Sequence, residues 1–434
     1  MKTKICSIVC VICLLVGCSF VLSSCNSNFA VGIQSAEINE NGELILIYSN
    51  GTEQNLGVVV GKDGADGSLN ITANGSSIPA ASSKGLRSAV SIVCNFQATV
   101  QQGGWRPGSG STTTKDYYSK GSGVIYQMDK TKGDAFIITN YHVVYDASSN
   151  TENGISNDIS VYLYGSEIEE KAIKATYVGG SLYYDIAVLR VEDSEILAAS
   201  SAGAVTVADS DTIVVGDSAI AIGNAQGLGI SSTSGVISVD SEYITMTAAD
   251  EKTKVSFRVM RVDTAINSGN SGGGLYDDEG NLIGIVNAKV IYDGVENIGY
   301  AIPSNVAVSI AENIIDYCYR TDTERVQRAF LGITVSALDS KAVYDSTTGL
   351  ISIKETVSVY EVSSESLADG VLQAGDILVS ATVNGNTTEI TRQYHIIDMM
   401  LDVRVGDVVT LHILRAGEEK TVSITITEDC LTAY

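Results

Sequence analysis

The stretch AINSGNSGGGLYDDEG, Ala265 to Gly280, sets one serine among glycines. Gly269 stands two places before Ser271, and Gly272, Gly273 and Gly274 follow it. A loop that merely turns needs one or two glycines. A hydroxyl that must meet a substrate carbonyl needs bare backbone beside it, because a second chain has to come close. The plainer reading is a flexible Gly/Ser loop. A base and an orienting acid decide between the two, since an alcohol at its ordinary pKa is a poor nucleophile.

The chain holds three histidines. His142, in AFIITNYHVVYDA, follows an apolar run at its mouth, whereas His395 and His412 fall in the C-terminal region. A catalytic imidazole needs an acceptor to hold its tautomer. Asp185 opens the apolar run DIAVLRV, where an unpaired carboxylate is costly. Its plainer reading is a strand-end aspartate, and Asp146, four residues from His142, is a rival acid. The order His142, Asp185, Ser271 is that of the two-barrel chymotrypsin architecture, not of subtilisins or α/β-hydrolases. In such a loop the N–H groups of Gly269 and Ser271 converge on the substrate oxygen as an oxyanion hole, each worth about 3 kcal/mol.

The surrounding pattern fits that architecture. Short runs such as AVSIVCNF, AFIITN, ISVYLYG, SAIAIGN and NLIGIVNA alternate with Gly, Asp, Asn and Ser, as antiparallel barrels require. The fold class is mainly β: a double β-barrel over residues 86–320, then a smaller domain over 328–430. Helical periodicity first appears at PSNVAVSIAENIIDYCYR, with Ser304 as N-cap and Val306, Ile310, Ile314 and Cys318 as one stripe. The smaller domain reads as strand, hairpin about Asn384-Gly385, short helix RQYHIIDMMLDV and a second hairpin. Residues 26–85 read as a β-hairpin about Asn50-Gly51 followed by a Gly/Ser-rich tether.

Residues 1–25 read as a lipoprotein signal peptide, with Lys2 and Lys4 before an apolar run. Cys25, in LSSC followed by polar NSN, is the expected lipidation site, and Cys18, in LVGC, is the alternative. This places the body extracytoplasmically, lipid-anchored to a bacterial cell membrane. Only Cys94, Cys318 and Cys430 lie beyond the leader, too scattered for a disulfide framework, and they read as small buried hydrophobes. No cysteine pair or histidine cluster suggests a metal, and no cofactor is implied. A net charge of -24 argues against nucleic acid as a partner.

TNYHVV, DIAVLRV, DTAINSGNSGGGL, AIGNAQGLGISSTSG and NIGYAIPSN together resemble motifs of the HtrA/Deg family of trypsin-like serine proteases, which carry PDZ domains. The resemblance implies a homotrimer that degrades misfolded exported proteins. It also implies one PDZ domain that captures peptide C-termini at FLGI, the residues Phe330, Leu331, Gly332 and Ile333, with His395 and Met399 or Met400 as further liners. The specificity pocket would be lined by Ile266, Asn267, Ile285, Val286 and Asn287. No acid stands at its base, so a small or medium apolar residue before the cut is expected. Asn270 stands where pancreatic relatives carry an aspartate, which argues against activation by a newly cut N-terminus. The alternative function is a peptide-binding chaperone or scaffold with a resting or idle triad.

Overall fold

The computed structural model describes residues 33–39, 43–58, 77–102, 111–288, 298–321 and 327–433. Cys18, Cys25 and the leader lie outside them. The chain divides into two compact units, Met1–Gly75 and Ser76–Tyr434.

In the first unit, strands Ile33–Ile38, Glu43–Tyr48 and Glu53–Val58 form an antiparallel sheet in chain order. The element is therefore a three-stranded meander, one strand more than the expected hairpin. Its second turn is the expected one: Gly51 takes φ +78°, and Asn50 Oδ1 accepts from Thr52 N at 3.0 Å.

The second unit opens with a helix, Ile78–Leu86, where the sequence suggested tether. Ser77 caps it, Pro79 sits in its first turn, and Ala81 and Gly85 are buried. Gly85 is small because a Cβ there would lie 2.6 Å from Ile222 Cδ1. The tether reading therefore fails over residues 77–85. These residues form a packed part of the second unit.

Two closed six-stranded antiparallel barrels follow, as the order of site residues required. The first uses Ala89–Gln102, Ser111–Asp129, Asp134–Thr139, Asp158–Leu163, Ile173–Ser181 and Ile186–Val191. The second uses Ser218–Gly223, Ser231–Thr247, Lys254–Val262, Gly274–Tyr276, Leu282–Val286 and Gly299–Pro303. Side chains alternate across a strand. In Asp134–Thr139, Ala135 and Ile137 enter the first barrel's interior, whereas Phe136 and Ile138 enter the core between barrels. In Ser218–Gly223, Ala219 and Ala221 fill the second barrel and Ile220 and Ile222 meet the first. These strands read as unbroken apolar runs because both faces are buried.

Helix Ser304–Ile314 closes the shared core with Val306, Ile310 and Ile314, each 0 % exposed. Ser304 is its first residue rather than its cap, and its hydroxyl donates to Ala208 O at 2.8 Å. A π-helical turn, Ile315–Arg320, extends it.

The C-terminal domain is a sheet ordered Ile333–Asp345, Leu350–Val362, Ile377–Val383, Val408–Arg415, Glu418–Thr425, with helix Gln393–Met399. Asn384 and Gly385 both take positive φ, as the expected hairpin requires. Arg258 joins this domain to the second barrel. It is bonded to Asp211 at 2.8 Å, lies 3.1 Å from Asp398, and sits 3.8 Å over the Tyr394 ring. Among the described residues no helix is long and apolar enough to cross a membrane, no cysteines are bridged, and no metal-ligand cluster occurs.

Candidate active site

His142 lies in a single helical turn, Tyr141–Val144, at the end of strand Asp134–Thr139. Asp185 sits just before strand Ile186–Val191, the hydrogen-bonded neighbour of that strand. Sheet pairing thus brings together two residues that are 43 apart in sequence. His142 Nδ1 lies 2.6 Å from Asp185 Oδ2, and His142 N donates to Asp185 Oδ1 at 2.9 Å. One carboxylate therefore grips the base at ring and backbone, leaving Nε2 as the remaining ring nitrogen.

Asp185 pays for this position with a left-handed backbone, φ +56°, uncommon for a residue with a Cβ. Its carbonyl is tied down by Tyr141 N at 3.1 Å and Asn140 Nδ2 at 2.9 Å. Asp146, the rival acid, accepts instead from Ser148 N and Oγ.

A third donor was not foreseen. Asn287 Nδ2 donates to Asp185 Oδ2 at 2.9 Å, and both residues are buried. The expectation that Asn287 lines the specificity pocket is corrected: its amide serves the carboxylate. Ile285 and Val286 are corrected likewise. Both are 0 % exposed and packed into barrel cores, because strand Leu282–Val286 is buried on both faces. Of the five expected pocket residues, Ile266 is half-buried and Asn267 exposed.

Ser271 is contributed by the loop before Gly274–Tyr276 and shares one cleft with His142, of about 340 Å³. Larger clefts lie elsewhere, among them one beside Phe96 and Tyr117, one beside Tyr317 and Arg404 and one lined by His395, but none of these holds a histidine together with Ser271. The loop's backbone is held from several sides. Asn270 N donates to Asn267 O, Gly272 N to Val286 O, and Gly273 N to Asn270 O. Ser122 anchors it from the first barrel: its N donates to Ser271 O at 2.8 Å and its hydroxyl to Gly269 O at 2.7 Å. The N–H groups of Gly269 and Ser271 find no acceptor among the described residues, whereas those of Asn270, Gly272 and Gly273 around Ser271 are committed.

The glycines answer the backbone's own conformation and packing, as expected for Gly269, as well as any need for substrate approach. Gly269 takes φ +97°, and a Cβ there would lie 2.3 Å from Asn224 O. Gly272 takes φ +81° and would strike Ser122 O at 2.2 Å. The bare backbone thus answers the loop's own packing before any substrate arrives. Asn270 is buried, and its Oδ1 has no hydrogen-bond partner among the described residues.

At the expected peptide-capture loop, Phe330 is 43 % exposed beneath the Arg328 guanidinium, whereas Leu331 is buried in the domain core. Gly332 takes φ +81°, and Ile333 begins an edge strand. Met400 is thereby corrected from a groove liner to a core residue, and only the side chain of Leu331, not its backbone, is committed to the core. His395 Nδ1 accepts from Thr391 N at 3.2 Å, and burial pushes its ring below the usual histidine range.

The trypsin-like peptidase domain family matches residues 121–285, which include His142, Asp185 and Ser271. The serine protease Do-like HtrA of Lactococcus lactis is 31 % identical over 83 % of this chain and 85 % of its own length. The Do-like HtrA of Bacillus subtilis is 32 % identical over 78 % and 70 %. The periplasmic serine endoprotease DegP of Escherichia coli is 30 % identical over 76 % of this chain and 61 % of its own length. With the barrels, the buried Asp185 holding His142, and Ser271 in the same cleft as His142, these matches make the chain a member of the HtrA family of trypsin-like serine proteases.

Proposed function

We propose that this protein is an endopeptidase in which Ser271 Oγ attacks the substrate carbonyl and His142 Nε2 takes the hydroxyl proton. His142 then delivers that proton to the leaving amine, and water discharges the acyl-enzyme by the same route in reverse. Asp185 holds the imidazole's tautomer and stabilises the imidazolium while staying ionised. The N–H groups of Gly269 and Ser271 hold the developing oxyanion. The observation that supports this reading is the doubly gripped His142 lining the same cleft as Ser271, whose N–H and that of Gly269 are uncommitted among the described residues.

The substrates proposed are unfolded or misfolded exported polypeptides, cut after small or medium apolar residues, with Ile266 and Asn267 at the pocket. The C-terminal domain is proposed as a PDZ domain that captures peptide C-termini by strand addition to the edge strand at Ile333. The N–H groups of Leu331 and Gly332 find no acceptor among the described residues, which suits a carboxylate. Assembly as a homotrimer, export, and lipid anchoring through Cys25 or Cys18 complete the proposal.

Labelling with a fluorophosphonate followed by peptide mapping tests the site, and casein turnover by wild type and Ser271→Ala tests the reaction. The expected result is modification of Ser271 alone and loss of turnover in the variant. Equal turnover by both proteins would refute the mechanism. Stable casein binding without turnover by either would favour the chaperone reading.

A further inference from the structure

The cleft that holds Ser271 is bordered by acidic loops from both barrels. Asp146 follows His142 on the first barrel, and Asp250 and Glu251 lie in the turn joining Ser231–Thr247 to Lys254–Val262 on the second. Asp146 and Glu251 line the same cleft as Ser271, His142 and Tyr145. Burial first, and then the charges of Asp250, Asp146 and Glu251, push the Tyr145 phenol above its usual range, so all three carboxylates act on this spot.

Among the described residues, no lysine or arginine makes an ion pair with Asp146, Asp250 or Glu251. Lys252 acts on Asp250 through space without pairing with it. Hydrogen bonds from Thr253 hold Asp250 below the usual carboxylate range, and Asp146 is fixed by Ser148 N and Oγ. Glu251 has an exposed side chain without a hydrogen bond among the described residues, presented on a left-handed backbone, φ +60°. Tyr145 stacks on Tyr141 at 5.1 Å, so an aromatic face lies beside the carboxylates and attracts cations as well.

A peptide lying across Ser271 must run along this rim. We propose that Asp146, Asp250 and Glu251 make the cleft select polypeptide segments with a lysine or arginine side chain flanking the apolar residue at the cut, and reject segments with acidic side chains there. The inference rests on the protease reading of the same cleft and adds the charge class of its substrates. Like charges at these distances repel an acidic segment, and the whole preference is electrostatic, so salt screens it.

Fluorogenic peptides sharing one apolar residue before the cut, with Lys, Gln or Glu at the flanking positions, test it through kcat/KM. Wild type is expected to favour the Lys peptide over the Glu peptide by about tenfold, with Gln between them. Glu251→Gln is the cleaner variant, since its side chain supports no turn, and the Lys-to-Glu ratio is expected to fall about threefold in it. Asp146→Asn with Glu251→Gln, or about 1 M NaCl, is expected to bring the ratio close to one. Equal Ser271-dependent cleavage of all three peptides by wild type would overturn the charge inference and leave the protease standing. A ratio unchanged in Glu251→Gln and in high salt would overturn it also. Cleavage of none of them would sink both readings.

Discussion

Asn287→Ala removes one of the three donors that converge on Asp185. The carboxylate receives His142 N on Oδ1 at 2.9 Å, and His142 Nδ1 at 2.6 Å with Asn287 Nδ2 at 2.9 Å on Oδ2. Its side chain is 6 % exposed, so bulk water replaces a lost donor poorly. A hydrogen bond to a charged group is worth about 1.5–3 kcal/mol, or roughly tenfold to 150-fold in rate where all of it bears on the transition state. Part of the loss falls on the ground state, because Asp185 accepts the same hydrogen bond there as well. The expected fall in kcat/KM is therefore about tenfold to fiftyfold. It should appear in kcat, with KM little changed, since Asn287 is 0 % exposed and its amide is turned to Asp185. Asn287→Ser, which keeps a donor on a shorter arm, should recover part of the loss. Casein and fluorogenic-peptide turnover give kcat and KM, the rate of fluorophosphonate labelling reports the nucleophile alone, and thermal unfolding monitors the fold. An Asn287→Ala protein that folds normally with wild-type kcat and labelling rate would show that Asp185 needs no third donor. A KM effect without a kcat effect would return Asn287 to the substrate pocket.

Gly269→Ala forces a Cβ to within 2.3 Å of Asn224 O at φ +97°, so the loop must shift and carry its free N–H off target. The expected result is a loss of about 10²–10³ in kcat, with destabilisation of about 1–3 kcal/mol, read by peptide turnover and thermal melts. Wild-type kcat in the folded variant would remove Gly269 from the oxyanion hole. Asp398 gives a pH prediction. Burial raises its carboxyl from 3.8 to about 6, with the Arg258 charge lowering it and Asp211 raising it again. The folded state thus holds this proton more tightly than the unfolded chain does. The group's contribution is most favourable below pH 4, declines as pH rises from 4 to 6, and above that leaves the folded form about 2–3 kcal/mol less stable. Asp398→Asn removes this dependence, so denaturant titrations at pH 4.5 and 7.5 should show a smaller decline in stability for the variant than for wild type. Identical pH slopes would refute the assignment.

What could be read from the residue order alone follows a physical divide. His142, Asp185 and Ser271 each stand beside an apolar run or a glycine cluster, so a polar group there announces itself as an exception to local burial. Asn384-Gly385 and the stripe Val306, Ile310, Ile314 are local too, one a turn dipeptide and the other a helical period. The misreadings concern groups whose role depends on what lies opposite. PAASSKG has a linker's composition, yet it folds as helix because Ala81 and Gly85 find Ile222 and Tyr276, residues of the distant second barrel. Ile285 and Val286 read as pocket wall until the barrel closes and both faces of their strand are covered. Asn287 is the sharpest case, because its partner lies 102 residues away. Its role was nevertheless bounded by chemistry available beforehand. A buried carboxylate has about four acceptor sites, His142 can fill two of them, and an unfilled one is costly. A further donor had to come from some strand end near Asp185, and an amide fits that need better than a pocket lining does. Counting the unsatisfied acceptors of a proposed triad, rather than searching for more motifs, is the step that would have found Asn287.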